Sequence, residues 1–440
     1  MPSIFIETYG CQMNVSDTEL MFGTLAPHGY TPSATPEGAD VILVNTCAIR
    51  DHAEQRVIGR LGELKRHMGP DTVLGVVGCM AQRLGPELLK TKHVSLVIGP
   101  DGYRALPELI AGARSGERRV ATDFDLEEHY EDVTAHRLDG VKAWIPVQRG
   151  CDYRCTYCIV PYTRGSERSR RVADVVREAH RVVEQGISEI ILLGQTVNSF
   201  HDDGADFGDL LRAVGAVDGV KRLRFTSPHP NDFSDHVIAA MAETPAVCEH
   251  VHLPMQSGST DVLKRMLRRY SREEYLRCVD RLRAAIPGLG LTTDIIVGFP
   301  GESDAEFEET LSAVREVGFD DAFTFKFSPR EGTPATRMPA EWTVPDDVAS
   351  ARLDTLIHTV RRGSRDRNLA LLGARREILI EKGARRGELL QGRSRDYKTI
   401  LVEGPESLVG TYMTVELTGT TGSTFTGTPV RERTPLPMAG

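Results

Sequence analysis

Short apolar runs recur along this chain, most of them followed by a stretch whose apolar residues repeat every three or four positions. Over residues 1–120 the runs 3–8, 40–45, 73–78 and 94–98 predict strands. After the first comes "SDTELM", in which Ser16 and Glu19 have capping-box spacing for a new helix. "AIRDHAEQRVIGRLGELKR" carries helical periodicity, and "MAQRLGPELLK" predicts a further helix. Strand, turn and helix in alternation give βαβ units and a parallel sheet.

The acidic stretch "TDFDLEEHYEDVTAHR" lacks periodicity and reads as a linker over 121–140. Strand candidates then return at 143–149, 187–194, 222–227, 248–253, 290–298 and 320–327, with helical stretches between them. Six βα units over 141–370 predict a partial (β/α)6 relative of the eight-stranded barrel, whose post-strand loops build the site. From about 374, "REILIEK", "GELLQGR", "KTILVE", "GTYMTVEL" and "TFTGTPV" read as five strands between Gly-containing turns. They predict a small closed β-barrel of OB-like size over 374–437. The expected fold class is α/β, with an N-terminal parallel sheet, a central partial barrel and a C-terminal small barrel.

Composition changes this picture in three ways. A chain of 440 residues is longer than one core organises, which favours two or three domains. No apolar stretch approaches the ~20 residues that span a bilayer, and "MPSIFIETYG" lacks the flanks of a secretory signal. A cytoplasmic protein with no membrane partner is therefore expected, its eight cysteines reduced. In that compartment clustered thiols point to metal or catalysis. The net charge is −9, yet residues 351–440 carry 15 Lys and Arg against 10 Asp and Glu. That asymmetry is compatible with a nucleic-acid-binding module at the C-terminus, or with an ordinary solvated face.

Three of the apolar runs end on a thiol: "IETYGC" at Cys11, "VILVNTC" at Cys47 and "VLGVVGC" at Cys79. Ligands of parallel sheets gather at the carboxyl ends of the strands, beside helix starts that favour thiolates. The three cysteines are thus expected at one edge of one sheet, as a site or as buried apolar thiols. A second trio, Cys151, Cys155 and Cys158, lies in "RGCDYRCTYCIVPYTRG" just after the first barrel strand. Three cysteines do not complete a four-ligand structural zinc site. Three thiolates can hold three irons of a four-iron cluster and leave the fourth open to a chelating substrate. Cys248 and Cys278 have no ligand spacing and are expected in the core.

The second trio resembles the radical S-adenosylmethionine superfamily. "TYGCQMNVSDTE", "VNTCAIR", "GCMAQR", "CTYCIVPYTRGSERSR", "LLGQTVNSF", "HVHLPMQSGS" and "TTDIIVGFPGE" extend the likeness to its methylthiotransferases. "GRSRDYKTILVEG" resembles their RNA-binding TRAM module, so the likeness covers essentially the whole chain. "YGCQMN" and "GQTVNS" resemble the branch that makes 2-methylthio-N6-dimethylallyladenosine in tRNA. One departure is Glu302, four residues after Gly298 where the superfamily pattern has three. It leaves the ribose and methionine contacts unassigned.

The resemblance implies two 4Fe-4S clusters, one on Cys11, Cys47 and Cys79, the other on Cys151, Cys155 and Cys158. It implies S-adenosyl-L-methionine as cofactor, with Tyr157 at the position that approaches the adenine. One molecule of it gives a methyl group to sulfur at the N-terminal cluster. A second, cleaved at the other cluster, yields a 5′-deoxyadenosyl radical that removes hydrogen from C2 of the adenine. The expected partners are the anticodon stem-loop of tRNA and an electron donor such as flavodoxin or ferredoxin, and a monomer is expected. Candidate RNA contacts are Gln195 and Asn198 after a barrel strand, Arg164, Arg168, Arg170 and Arg171 near the cluster mouth, and Arg393, Arg395 and Lys398 in the C-terminal barrel. Two alternatives remain open. One is a methylthiotransferase for threonylcarbamoyladenosine or a ribosomal protein. The other is an RNA-binding protein with structural or redox-sensing clusters.

Overall fold

The first apolar runs become a parallel sheet of β1 (Ser3–Thr8), β2 (Thr31–Pro32), β3 (Val41–Thr46), β4 (Val73–Gly78), β5 (Leu96–Ile98) and β6 (Arg119–Ala121). Its order is β2-β1-β3-β4-β5-β6. This is a computed structural model, and it describes residues 1–48, 51–384 and 389–430, without the side chains of 51–55. Residues 49–50 of one expected helix, 387–388 of one expected strand and 431–437 of the C-terminal unit lie outside the described residues. β3 and β4 are buried throughout because apolar clusters cover both faces of the sheet. The helix after β1 spans Gln12–Leu25 and begins earlier than the Ser16/Glu19 spacing implied. Cys11 takes the N-cap position and its N–H donates to Asn14 Oδ1 at 3.3 Å, which leaves Ser16 and Glu19 buried inside the helix.

The central strands are β7 (Lys142–Pro146), β8 (Glu189–Leu193), β9 (Arg222–Phe225), β10 (His250–His252), β11 (Gly290–Val297) and β12 (Asp321–Lys326). They form two parallel three-stranded sheets, β9-β8-β7 and β10-β11-β12, joined by a bridge between Leu223 and Val247. Alternate residues such as Ala143, Ile190, Leu192, Leu223 and Leu291 share one core with the surrounding helices. The other set, including Trp144, Ile191 and Leu193, faces inward. Among the described residues β7 and β12 each pair with one strand only, so the barrel is open along one side.

β13 (Arg375–Gly383), β14 (Leu389–Ser394), β15 (Thr399–Glu403), β16 (Tyr412–Thr420) and β17 (Thr424–Pro429) close into a barrel in the order β13-β14-β15-β17-β16. Its β14–β15 turn docks onto the amino ends of the central strands. Arg224, in β9, donates to Ser394 O at 2.8 Å and Arg395 O at 2.9 Å. Tyr397 stacks on His250 with centroids 4.4 Å apart. The carboxyl ends of the central strands therefore stay on the opposite side, facing the N-terminal sheet.

The expected linker begins one residue late, since Ala121 still belongs to β6, and its remainder has no regular structure but is wedged between the two α/β units. Tyr130 is buried, accepts from Tyr103 N at 3.1 Å and carries Arg149 over its ring at 4.9 Å. Arg137 joins Glu19 (2.9 Å) to Glu178 (2.5 Å) across the same seam. Among the described residues no helix is long and apolar enough to cross a membrane.

Candidate functional site: two cysteine trios on facing sheets

Cys47 and Cys79 follow β3 and β4 directly, and Cys11 follows β1 after Tyr9 and Gly10, at the carboxyl edge of the parallel sheet. Gly10 has φ +128°, and a Cβ there would lie 2.6 Å from Cys47 Cβ, so the Cys11 turn rests against Cys47. Asn14 Nδ2 donates to Asn45 Oδ1 (3.1 Å) and Thr46 O (3.0 Å), and Asn45 Nδ2 donates back to Asn14 O (2.8 Å). Gly78, with φ +93°, passes as closely under Thr46 O, 2.6 Å from its missing Cβ. These contacts fix the three thiol-bearing loops against each other.

The second trio hangs from the end of β7. Gly150 has φ +76°, and a Cβ there would overlap Ser166 O. Gln148 Oε1 accepts from Gln195 N (2.8 Å) and Thr196 N (3.2 Å), while Gln195 Oε1 accepts from Gly150 N (2.6 Å). Thr196 Oγ1 lies 3.2 Å from Cys151 Sγ, and Arg268 Nη1 donates to Cys155 Sγ at 3.5 Å. Tyr153 stacks on His229 at 3.7 Å and donates to Asp232 at 2.7 Å, bracing the loop from outside. Tyr157 packs edge-on to Phe299, and the backbone of Thr156 bonds Met266 O (3.0 Å) and Ala335 N (2.9 Å). Burial pushes the Cys158 thiol up to about 12 and also raises Cys151.

Arg164 joins the two trios. It lies six residues beyond Cys158, is 3% exposed, and donates through Nε to Cys79 Sγ at 3.1 Å. Its Nη2 donates to Asp17 Oδ2 at 2.6 Å, and Arg149 Nη2 lies 3.5 Å from Asp17 Oδ1. Burial opposes the Arg164 charge, but Asp17 and the Cys79 sulfur hold the guanidinium protonated above its ordinary range. Burial raises the Cys79 thiol, and Arg164 partly counters it. Cys79 also shares an apolar cluster with Ala48 and with Ile159 of the second trio's loop. Met13, two residues after Cys11, packs on Ile191 and Leu193 inside the barrel.

The other sequence candidates fall into different places. Gln195 abuts the second trio, whereas Asn198 is spent on the backbone of His229, at 2.9 and 2.7 Å. Arg168 is buried on Asp101, Arg170 bonds Glu178 at 2.7 Å, and Arg171 is exposed beside Asp174 and Glu131. Arg393 bonds Glu381 (3.2 Å), Arg395 bonds Glu249 (2.8 Å) and Lys398 bonds Asp320 (2.7 Å), so all three are engaged within the chain. Glu302 accepts from Gly298 N (3.1 Å) and pairs with Arg352 (2.8 Å). Cys248 and Cys278 are buried away from both trios, as expected.

Asp17, Arg149, Thr196 and Arg268 were not singled out from the sequence. For Asp17 a signal existed: it occupies the buried stripe of its helix between Met13 and Leu20, where a carboxylate needs a partner. Arg268 sits in "KRMLRRY", where nothing separates it from its neighbouring arginines.

Both trios fit an iron–sulfur cluster. Among the described residues, the sulfurs of neither trio all come within 4.8 Å of one another, the spacing one shared ion requires. Burial raises the thiols of Cys79, Cys151 and Cys158, which makes them poor nucleophiles that become ligands by giving up protons to a metal. Cationic donors already point at Cys79 and Cys155, as outer partners of cluster sulfurs do.

Residues 145–314 match the Radical SAM superfamily, and residues 3–99 match a family described as Uncharacterized protein family UPF0004. The tRNA-2-methylthio-N(6)-dimethylallyladenosine synthases of Bacillus mycoides (strain KBAB4) and Bacillus thuringiensis (strain Al Hakam) are each 44% identical over 439 residues, covering 97% of this chain and 86% of theirs. Among solved structures, the radical S-adenosylmethionine methyltransferase TsrM from Kitasatospora setae aligns with a TM-score of 0.60 at 16% identity, over 78% of this chain and 80% of that one. The cobalamin-dependent S-adenosylmethionine radical enzyme OxsB aligns with a TM-score of 0.54 at 14% identity, over 82% and 56%. At such identities the structures speak to the fold alone.

Proposed function

The chain belongs to the tRNA-2-methylthio-N6-dimethylallyladenosine synthase family of the radical S-adenosylmethionine superfamily, and from that premise we propose how its residues divide the work. The enzyme methylthiolates C2 of N6-isopentenyladenosine next to the anticodon of tRNA, using two 4Fe-4S clusters and S-adenosylmethionine. Cys151, Cys155 and Cys158 hold the cluster that binds S-adenosylmethionine, and Cys11, Cys47 and Cys79 hold the auxiliary cluster. When bound, these groups supply radical initiation and the methylthio group.

The chain's own residues hold geometry and keep water out. Gln148 and Gln195 fix the backbone at Gly150, which sets the direction of Cys151. Tyr157, packed on Phe299, lines the S-adenosylmethionine side of the second trio. Arg164 and Asp17 lock the auxiliary trio onto the barrel mouth so that both sites address one substrate atom. Residues 1–120, 141–370 and 374–437 act as methylthiotransferase, radical and TRAM domains, with 121–140 as the strap between the first two. The protein works as a cytoplasmic monomer reduced by a flavodoxin- or ferredoxin-class donor.

The observation that carries this reading is the meeting of two cysteine trios through one buried arginine. Its test is tRNA nucleoside analysis in a bacterial strain whose tRNA carries isopentenyladenosine without methylthio, supplied with this chain. Appearance of the 2-methylthio derivative supports it. Methylthio-threonylcarbamoyladenosine in its place, or unchanged tRNA with a methylthiolated ribosomal protein, overturns the substrate.

A further inference from the structure

The open side of the central barrel carries the most exposed aromatic face in its interior. Phe323 is 61% and Phe325 48% exposed, both on the edge strand β12. Their neighbours Ala322 and Lys326 point outward, Ala322 against the main core and Lys326 to Ser350 (3.2 Å) of the helix Asp346–Leu369. Phe323 and Phe325 therefore face the barrel interior. Phe323 meets His252 edge-on, with centroids 5.8 Å apart. Phe325 is paired in register with Ile296, which packs in the same cluster as Tyr157. The chain beyond β12 runs on to Glu331, which pairs at 3.5 Å with Arg83, four residues after Cys79. The aromatic face thus adjoins the cluster around Tyr157 in the second trio's loop, and the segment after it reaches the helix that starts at Cys79.

A charged flank lies beside it. In the helix Asp346–Leu369 the groove shared with the helix Asp304–Val317 is lined by Thr359, Arg362, Gly363 and Asp366. Helical periodicity puts Arg361 and Arg365, an i,i+4 pair, on the other flank, towards the free edge of β12. Both are exposed, and among the described residues no carboxylate pairs with either. The stem of Arg365 covers Gly422 of the C-terminal barrel at 3.7 Å. The acidic residues of this flank, Asp347 and Asp354, lie in the opposite half of the helix. Arg361 and Arg365 thus flank the strand from outside, while Asp294 and Asp321 share the inner face with Phe323.

We propose that the open edge of the barrel is a single-strand RNA platform, on which bases beside the target adenosine stack on Phe323 and Phe325 while the backbone phosphates follow Arg361 and Arg365. This rests on the functional reading above and assigns the loop contact that it leaves open. Exposed aromatic faces beside unpaired arginines suit single strands, because every base has a stacking face and every linkage carries one negative charge. The arginines and lysine of the β14–β15 turn are engaged within the chain, so they do not offer an equivalent surface.

The test is equilibrium binding of a fluorescent anticodon stem-loop RNA to the cluster-loaded full chain, over a range of salt. Phe323→Ala with Phe325→Ala should bind at least about thirty-fold more weakly, and tyrosine at both positions should restore binding. Arg361→Gln with Arg365→Gln should lower the slope of log affinity against log salt by about 1.4. Unchanged affinity and slope in both double variants, with wild type binding the RNA, overturn the platform but leave the proposed function standing. A change of oligomeric state on losing the phenylalanines, without loss of RNA affinity, would make the face an interface between copies and also overturns it. Wild-type protein that does not bind the stem-loop overturns the functional reading and the platform with it.

Discussion

Arg164 Nε donates to Cys79 Sγ at 3.1 Å, although the two residues lie in helices of different α/β units and 85 positions apart. The same guanidinium holds Asp17, which is fully buried. One cysteine of the N-terminal trio is therefore supported by the loop that carries the other trio. The two sites cannot separate without leaving a buried carboxylate and a buried guanidinium unpaired.

Arg164→Gln removes the nearer of the two positive partners of Asp17, leaving Arg149 at 3.5 Å, and the charged donor to the Cys79 sulfur. Breaking a buried pair on one side costs roughly 3–5 kcal/mol. Loss of a cationic donor also shifts the cluster to a more negative potential, since hydrogen bonds to sulfur favour the reduced form. Urea unfolding and a potentiometric EPR titration check both. A variant with wild-type stability and potential would show that the 3.1 Å bond has no such role.

Gly150→Ala tests the backbone under the second trio. Its φ of +76° and the approach of Ser166 O leave no room for a methyl group. Strain of about 1–3 kcal/mol is expected, and the variant should retain about half the iron, on Cys11, Cys47 and Cys79. Full iron content after reconstitution would mean the turn relaxes freely.

The docking of the C-terminal barrel has a predictable pH dependence. Burial alone would raise Glu249 and Glu381, but Arg395 for the first, and Arg393 with Lys142 for the second, hold both below the ordinary 4.5. A carboxylate with a depressed folded value stabilises above its unfolded value and loses that contribution as pH falls through the folded one. Thermal midpoints of wild type and the Glu249→Gln, Glu381→Gln double variant should differ at neutral pH and converge below pH 4.5. A constant gap down to about pH 3.5 would contradict the assignment.

The sheets were legible because buried parallel strands are written as continuous apolar runs, as in "VILVNT" and "VLGVVG". The cysteines were legible because strand ends of such sheets converge. The start of the first helix was misplaced, since a cysteine rather than Ser16 caps it. The β14–β15 turn shows a different limit. "GRSRDYK" is rich in donors, but no local pattern tells a donor facing RNA from one bonded to Glu249 or Asp320. Arg164 and Asp17 lie 147 residues apart, and pairings at that range depend on how two sheets face each other.

The measurement that bears most directly on the whole account is anaerobic turnover of isopentenyladenosine-containing tRNA by reconstituted wild type and Cys47→Ala. S-adenosylmethionine and a reductant are supplied, and nucleosides and 5′-deoxyadenosine are read by mass spectrometry. Wild type should form both 5′-deoxyadenosine and the 2-methylthio nucleoside, while Cys47→Ala should form 5′-deoxyadenosine alone. A fully iron-loaded wild type that forms neither, or a Cys47→Ala variant that still makes the methylthio nucleoside, would contradict it.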